Sequence, residues 1–318
     1  MRGGESGDGI FQSEFTQVFS VMSWNLFKWK GVEVRDWPGE REIGMKKTIA
    51  SLNPDIICTQ ETSPEYLDAI LGVNAHYRCI VPSEAVVREC CQSRDAVRKI
   101  PFSPKNFNNP NSANEETFTG WLDEGNIVYR SDKFQYVSHG VVDVGLEEAE
   151  ARRPKRRLFW LRLCANNRTI LVSTAHLTWE GGSVVEQAAP YPSERSAQAS
   201  RIIAALNQIR LNDEKNGHAE PVIFCGDMND SWHVPFKMRE AGLFAYDLLL
   251  NMPSEITHPA RPCFHEERVP SQTRDWIFSS SLKPLLGRVC GDMVLGLNRH
   301  PSDHFPVFCI YEVPKNSK

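Results

Sequence analysis

PVIFCGDMND, residues Pro221 to Asp230, holds the pattern on which the fold turns. Val222 to Cys225 are four apolar residues in a row, as in a strand buried on both faces. They run straight into Gly226, Asp227 and Asn229. Two polar side chains two positions apart on an extended segment share a face. Asp and Asn also favour turns, so the pair alone reads equally well as the end of a strand. In sheet-based enzymes, reactive groups gather where such strands stop, because the strand holds them rigid.

The pattern recurs. VFSVMSWN ends at Asn25, DIICTQE at Glu61 and TILVSTAH at His176. A lone acid closing an apolar strand, as Glu61 does, needs compensation. RHPSDHFPVFCIYEV runs the other way, with Asp303 and His304 ahead of the apolar run. An antiparallel strand there starts at the edge where the others end, so mixed sheets are expected. Asp275 of TRDWIFSSS likewise precedes an apolar pair.

Between these runs the spacing becomes helical. Ala199, Ile202, Ile203, Leu206 and Ile209 form one apolar face behind a Ser193 cap. Met45, Ile49 and Leu52 predict a second helix, stopped by Asn53-Pro54. RRLFWLRLCANNRTILVSTAHL reads as two strands joined by an Asn-rich turn. The stretch from Pro82 to Gly120 predicts a helix followed by a long loop.

The chain has 318 residues, 41% of them hydrophobic, which allows a large core. The expected organisation is a Gly-rich disordered tail over 1–15, one domain over 16–314 and a short tail over 315–318. A net charge of −4 makes any nucleic-acid surface a local one. The N-terminus has no apolar stretch, so no secretory leader is expected. No apolar run approaches about 18 residues, so no membrane span is expected. The nine cysteines are scattered, mostly inside apolar runs, as reduced thiols of a cytoplasmic or nuclear protein would be. Cys90 and Cys91 lack a second pair at zinc spacing. A monomer is expected.

Asn25, Glu61, His176, Asp227, Asn229, Asp275, Asp303 and His304 form a carboxylate-rich set with two histidines and no clustered thiol. Such oxygen ligands suit a hard cation, Mg²⁺ or Mn²⁺. One of Asp227 and Asn229 can orient or deprotonate a water while the other bonds a phosphate oxygen. A histidine beside an acid is a natural partner for negative charge building on phosphorus.

SWN, DIICTQE, STAHL, CGDMND, RDWIF and HPSDHFPV, in that order from Val18 to Val313, resemble the endonuclease/exonuclease/phosphatase superfamily. The resemblance is nearest to its deadenylase-like and tyrosyl-DNA-phosphodiesterase-like branches. FCGDMNDS and QTRDWIF depart from the inositol-phosphatase patterns, and SWNLFKW lacks the second acid common in abasic-site endonucleases. The resemblance implies an α/β fold, a four-layer sandwich of two packed mixed β-sheets flanked by helices, like deoxyribonuclease I. It implies Glu61 as the main metal ligand with Asn25 beside it, and Asp303 supporting the metal or the water. It implies Asp227 orienting the water with Asn229, His304 stabilising the pentacovalent phosphorus with Asp275 holding its ring, and His176 and Asn126 contacting phosphate.

RRPKRR, Arg152 to Arg157, reads as a solvated loop or as a grip on phosphates. Trp179 and Trp232 read either as base-stacking residues of the substrate site or as core. The expected function is Mg²⁺-dependent phosphodiester hydrolysis, as a nuclease on RNA or single-stranded DNA ends. The alternatives are a phosphomonoesterase or lipid-head-group hydrolase, and a catalytically silent scaffold.

Overall fold

The structure is a computed structural model that describes residues 18–27, 39–62, 64–80, 125–145, 156–178, 194–213, 218–245, 257, 273–291 and 301–312. The expected tails, the expected helix and loop over 82–120, Cys90, Cys91, Ser193 and Trp179 lie outside the described residues.

Two six-stranded sheets form the body. In the first, β1 (Val18–Asn25) lies parallel to β2 (Ile56–Gln60). The antiparallel strands β4 (Asn126–Arg130) and β3 (Tyr77–Cys79) continue beyond β2. On the other side of β1 run β14 (Val307–Glu312) and then β13 (Lys283–Val289), both antiparallel to their neighbours. In the second sheet, β7 (Arg168–His176) and β10 (Val222–Asp227) are parallel neighbours. They are flanked by antiparallel β6 (Arg157–Ala165) and β5 (Gln135–Asp143) on one side. On the other side stand β12 (Asp275–Ser280) and a short β11 (Phe244–Ala245). Both sheets are mixed, and β14 is antiparallel to β1 as the order of its residues predicts. A two-residue pair, β8 (Asn212–Asp213) with β9 (His218–Ala219), stands apart.

The sheets pack face to face, with β1 and β2 against β7, β10 and β12. Trp24, Trp276, Phe224 and Phe278 are fully buried in the core. Each such aromatic contributes on the order of 2–3 kcal/mol of hydrophobic stabilisation. Helices α1 (Glu40–Leu52) and α2 (Pro64–Leu71) pack together beside the first sheet. Helices α3 (Glu194–Ile209) and α4 (His233–Glu240) pack together beside the second. The result is an α/β sandwich.

Local signals account for the joints. Asn53 ends α1 in the left-handed region, φ 44°, and its N–H bonds Ile49 O. Asn166 and Asn167 turn β6 into β7 with φ of 49° and 61°. A two-residue hairpin turn needs both central residues left-handed, which asparagine tolerates. The basic run is not a solvated loop throughout: Arg156 and Arg157 are buried, and Arg157 already belongs to β6.

Candidate active site

Sheet topology collects the polar strand ends at one edge. Because β7 and β10 are parallel and β12 is antiparallel to β10, Asp227 stands in register with both His176 and Asp275. Asn25 ends β1 opposite Gln60, and Glu61 follows β2 at once with φ 50°. Gly226 has a specific steric reason: a Cβ there would sit 1.9 Å from Ala175 O. There β10 presses against β7 just where Asp227 must reach the edge.

Asp227 is the hub. Its Oδ1 accepts the backbone N–H of Asn229 at 2.8 Å. Its Oδ2 accepts the Asn25 amide at 3.0 Å and lies 3.5 Å from His176 Nε2 and 3.7 Å from His304 Nε2. Asn25 Nδ2 also donates to Glu61 Oε1 at 3.2 Å, so one carboxamide links the acids of the two sheets. The Asn229 side chain, on a left-handed residue (φ 48°), donates to Leu177 O and meets His176 Nε2 at 3.2 Å.

His304 is held from three sides. Its Nδ1 bonds Asp275 Oδ2 at 2.7 Å, and its carbonyl accepts Trp24 Nε1 at 2.9 Å. Its N–H donates to Ser302 Oγ, whose hydroxyl donates to Asn25 O at 2.6 Å. Asp303 Oδ1 lies 3.8 Å from His304 Nε2.

The electrostatics follow from this crowding. Burial alone would lower the His304 pKa, but Asp275, Asp303 and Asp227 outweigh it and hold the imidazole at about 10. Burial alone would raise Asp227, but His304, His176 and Arg274 outweigh it and bring its carboxyl to about 2. Glu61 is raised, by burial and then by the nearby charge of Asp303. A cation at Glu61 would relieve that repulsion. The Glu61 side chain is 29% exposed and that of Asp303 15%, against 2% for Asp227 and none for Asp275. An ion arriving from solvent therefore meets Glu61 and Asp303 first.

Asp227, Asp275 and His304 also offer ligand atoms within 4.8 Å of one another. The 2.7 Å bond between His304 Nδ1 and Asp275 Oδ2 engages two members of the trio with each other. That trio reads better as a charge-assisted hydrogen-bond chain. The oxygen donors that fit a hard cation are Glu61 and Asp303; Asn25, expected beside Glu61 as a ligand, turns its Nδ2 to the acids and its Oδ1 to the Phe27 N–H.

Eight of the ten expected site residues thus converge: Asn25, Glu61, His176, Asp227, Asn229, Asp275, Asp303 and His304. Asn126 does not reach the surface. It opens β4 opposite Thr59, fully buried, and its Oδ1 takes the Cys79 thiol and the Ile127 N–H. Trp232 is 77% exposed, which removes the core reading for it.

Sequence reasoning missed several residues. Arg41 of α1 is buried and donates to Pro301 O, Leu26 O and Phe27 O, tying the loop after Asn25 to the segment before His304. It stands one turn ahead of Met45 on the buried stripe of α1, a position that signals burial but not its backbone partners. Thr257 accepts the N–H groups of Arg274 and Asp275, and Arg274 reaches Asn229 Oδ1 at 3.5 Å. No sequence signal marks Thr257.

A profile of the Endonuclease/Exonuclease/phosphatase family matches residues 22–304, from the middle of β1 to the site histidine. The chain belongs to the endonuclease/exonuclease/phosphatase family. Solved structures of similar fold include TDP2 of D. rerio complexed with a single-strand DNA product: 16% identity, 92% of this chain and 98% of that one, TM-score 0.58. The human Nocturnin catalytic domain with bound sulfate is 18% identical over 92% and 93%, TM-score 0.58. A mannosyl-6-phosphatase of Bacteroides thetaiotaomicron is 18% identical over 92% and 99%, TM-score 0.60. At such identities the likeness is one of fold. No curated protein matches the sequence significantly. Among the described residues, no helix of this family member is long and apolar enough to cross a membrane.

Proposed function

We propose that this family member is a divalent-metal-dependent phosphodiesterase, a nuclease that hydrolyses RNA or single-stranded DNA ends. One observation carries the reading: Asn25 bonds both Asp227 and Glu61, and Asp227 in turn lies 3.7 Å from the His304 that Asp275 holds, so the half-buried acid is joined to that pair.

Glu61, with Asp303, would hold Mg²⁺ or Mn²⁺, and Asn25 would position the Glu61 carboxylate. Such an ion, when bound, neutralises charge on a phosphate oxygen. A carboxyl held at about 2 is a weak base, so Asp227 serves to orient the attacking water more than to take its proton fully. Asn229 fixes that carboxylate through its own N–H. His304, kept charged by Asp275, stabilises negative charge that develops at phosphorus. His176 stands 3.5 Å from Asp227 on the other side and supplies a phosphate contact. An inactive scaffold has no use for so complete a set, which argues against that alternative.

The test is incubation with Mg²⁺ or Mn²⁺ and a substrate panel: poly(A), single-stranded DNA, a 5′-tyrosyl oligonucleotide, inositol phosphates and sphingomyelin. Metal-dependent cleavage of an oligonucleotide, lost in Asp227→Asn and Glu61→Ala, supports the reading. Hydrolysis of head groups or monoesters alone overturns the nuclease assignment. No hydrolysis of any substrate overturns the enzymatic one.

A further inference from the structure

Three aromatic side chains stand open to solvent among the described residues, and all follow the site loop: Trp232 (77% exposed), Phe236 (63%) and Phe244 (56%). Trp232 and Phe236 are four residues apart, so they lie one turn apart on one face of α4. The opposite face, Val234 and Met238, is buried.

The mount is rigid. Asp230 Oδ1 accepts the N–H groups of Trp232, His233 and Val234 at 2.8, 2.6 and 3.1 Å. Asp230 O accepts Trp276 Nε1 at 3.0 Å, and Ser231 Oγ donates to Thr273 O at 2.7 Å. Only two residues separate Asn229 from Trp232, so their Cα atoms, three peptide steps apart, are at most about 11 Å from each other. That is the rise of about three stacked nucleotides.

An indole held out in water on a fixed base does nothing for folding. The exposed charges beside it favour an anion. Arg239 of α4 and Arg201 of the adjoining α3 are exposed against Glu240, while half-buried Lys237 donates to Ser196 O and Ser200 Oγ, on a chain whose net charge is −4. Two rings offer at most about 500 Å². A stable dimer needs about 800 Å² per partner.

We propose that the Trp232–Phe236 face of α4 is a stacking platform for the bases of a single-stranded nucleic acid whose scissile phosphate lies against Asp227 and His304. This assignment rests on the nuclease reading of the site. Ring faces take any unpaired base, so the platform selects for single strands without reading sequence. A duplex hides those faces within its own stack.

The test uses the full chain carrying Asp227→Asn, which prevents turnover, with and without Trp232→Ala and Phe236→Ala. Fluorescence anisotropy with dT12 and rA12 in Mg²⁺ is expected to give a Kd about tenfold weaker for each aromatic lost. Trp232→Phe should recover most of the affinity. The two oligonucleotides separate a DNA from an RNA preference. In otherwise wild-type protein, the ratio of kcat/KM for dT12 to that for bis(p-nitrophenyl) phosphate should fall about tenfold or more.

An unchanged Kd overturns the platform, as does an equal fall on both substrates, which would mark the aromatics as structural. It is also overturned if the double variant instead loses binding to phosphatidylserine vesicles or changes its sedimentation. Those results would reveal a lipid surface or a second copy as the occupant. If wild-type protein binds dT12 through Trp232 yet hydrolyses neither substrate, the nuclease reading fails while the platform stands.

Discussion

Strands β2 and β10 each carry an acid at both ends, and the two ends are treated in opposite ways. At the starts, the acids are closed off by cations. Asp55, ahead of β2, accepts the N–H and hydroxyl of Ser20 and lies 2.6 Å from Lys133 Nζ and 3.7 Å from Arg130. Glu220, ahead of β10, is gripped by Arg162 Nε and Nη2 at 2.8 and 3.1 Å and also accepts the Leu211 N–H. At the far ends, Glu61 is raised by burial and by Asp303, and Asp227 is shared among amides and two imidazoles. One edge of the sandwich spends its charge on holding the fold. The other keeps carboxylates crowded on one another, a cost to stability that is characteristic of sites built for a ligand.

Four experiments can break or sharpen that contrast. Asp227→Asn should reduce kcat/KM on the best substrate by about 10²–10⁴-fold. Its thermal midpoint should fall modestly, because the fold stabilises this carboxylate in its charged form while the amide keeps one acceptor oxygen; a collapse of the midpoint would make Asp227 structural.

Glu220→Ala should do the reverse. It leaves Arg162 buried without its counter-charge and should cost about 3–5 kcal/mol in denaturant unfolding. Activity per folded molecule should hold, and a specific loss of turnover would erase the difference between the two ends.

Metal linkage should be next in size. Mn²⁺ or Mg²⁺ at about 100 times its Kd should stabilise the wild-type chain by about 2.7 kcal/mol, reversibly with EDTA. Glu61→Gln should abolish that gain; if the gain persists, the ion sits elsewhere.

The smallest effect belongs to Lys133→Ala. Its side chain is 40% exposed, so solvent screens the pair and the loss should be about 1 kcal/mol or less by urea titration. A larger loss would mean that Asp55 depends on Lys133 more than on Ser20.

The sequence was legible where chemistry and strand pattern coincide. Asn25, Glu61, His176, Asp227 and Asn229 close apolar runs, while Asp275, Asp303 and His304 open them, and all eight meet. It was less legible where a residue acts through backbone contacts. Arg41 and Thr257 hold loops by bonds to carbonyl and N–H groups, which any polar side chain can make. Asn126 does not meet those eight: it opens β4 inside the core, with Oδ1 on the Cys79 thiol and the Ile127 N–H and Nδ2 without a partner among the described residues.

By itself, then, the amino-acid order determined the strands, their mixed directions and the residue types at their tips. Hydrophobic runs and turn asparagines are local properties, and local properties are written in order. What it left open was which tip of a strand would be neutralised. NPDIICTQE has an acid on both sides of one apolar run, and nothing in those nine letters distinguishes Asp55 from Glu61. Only the tertiary structure decided it, by bringing Ser20, Arg130 and Lys133 to the first acid and Asn25, Asp303 and His304 to the second. An ionised group is defined by the charges around it, and those come from remote parts of the chain.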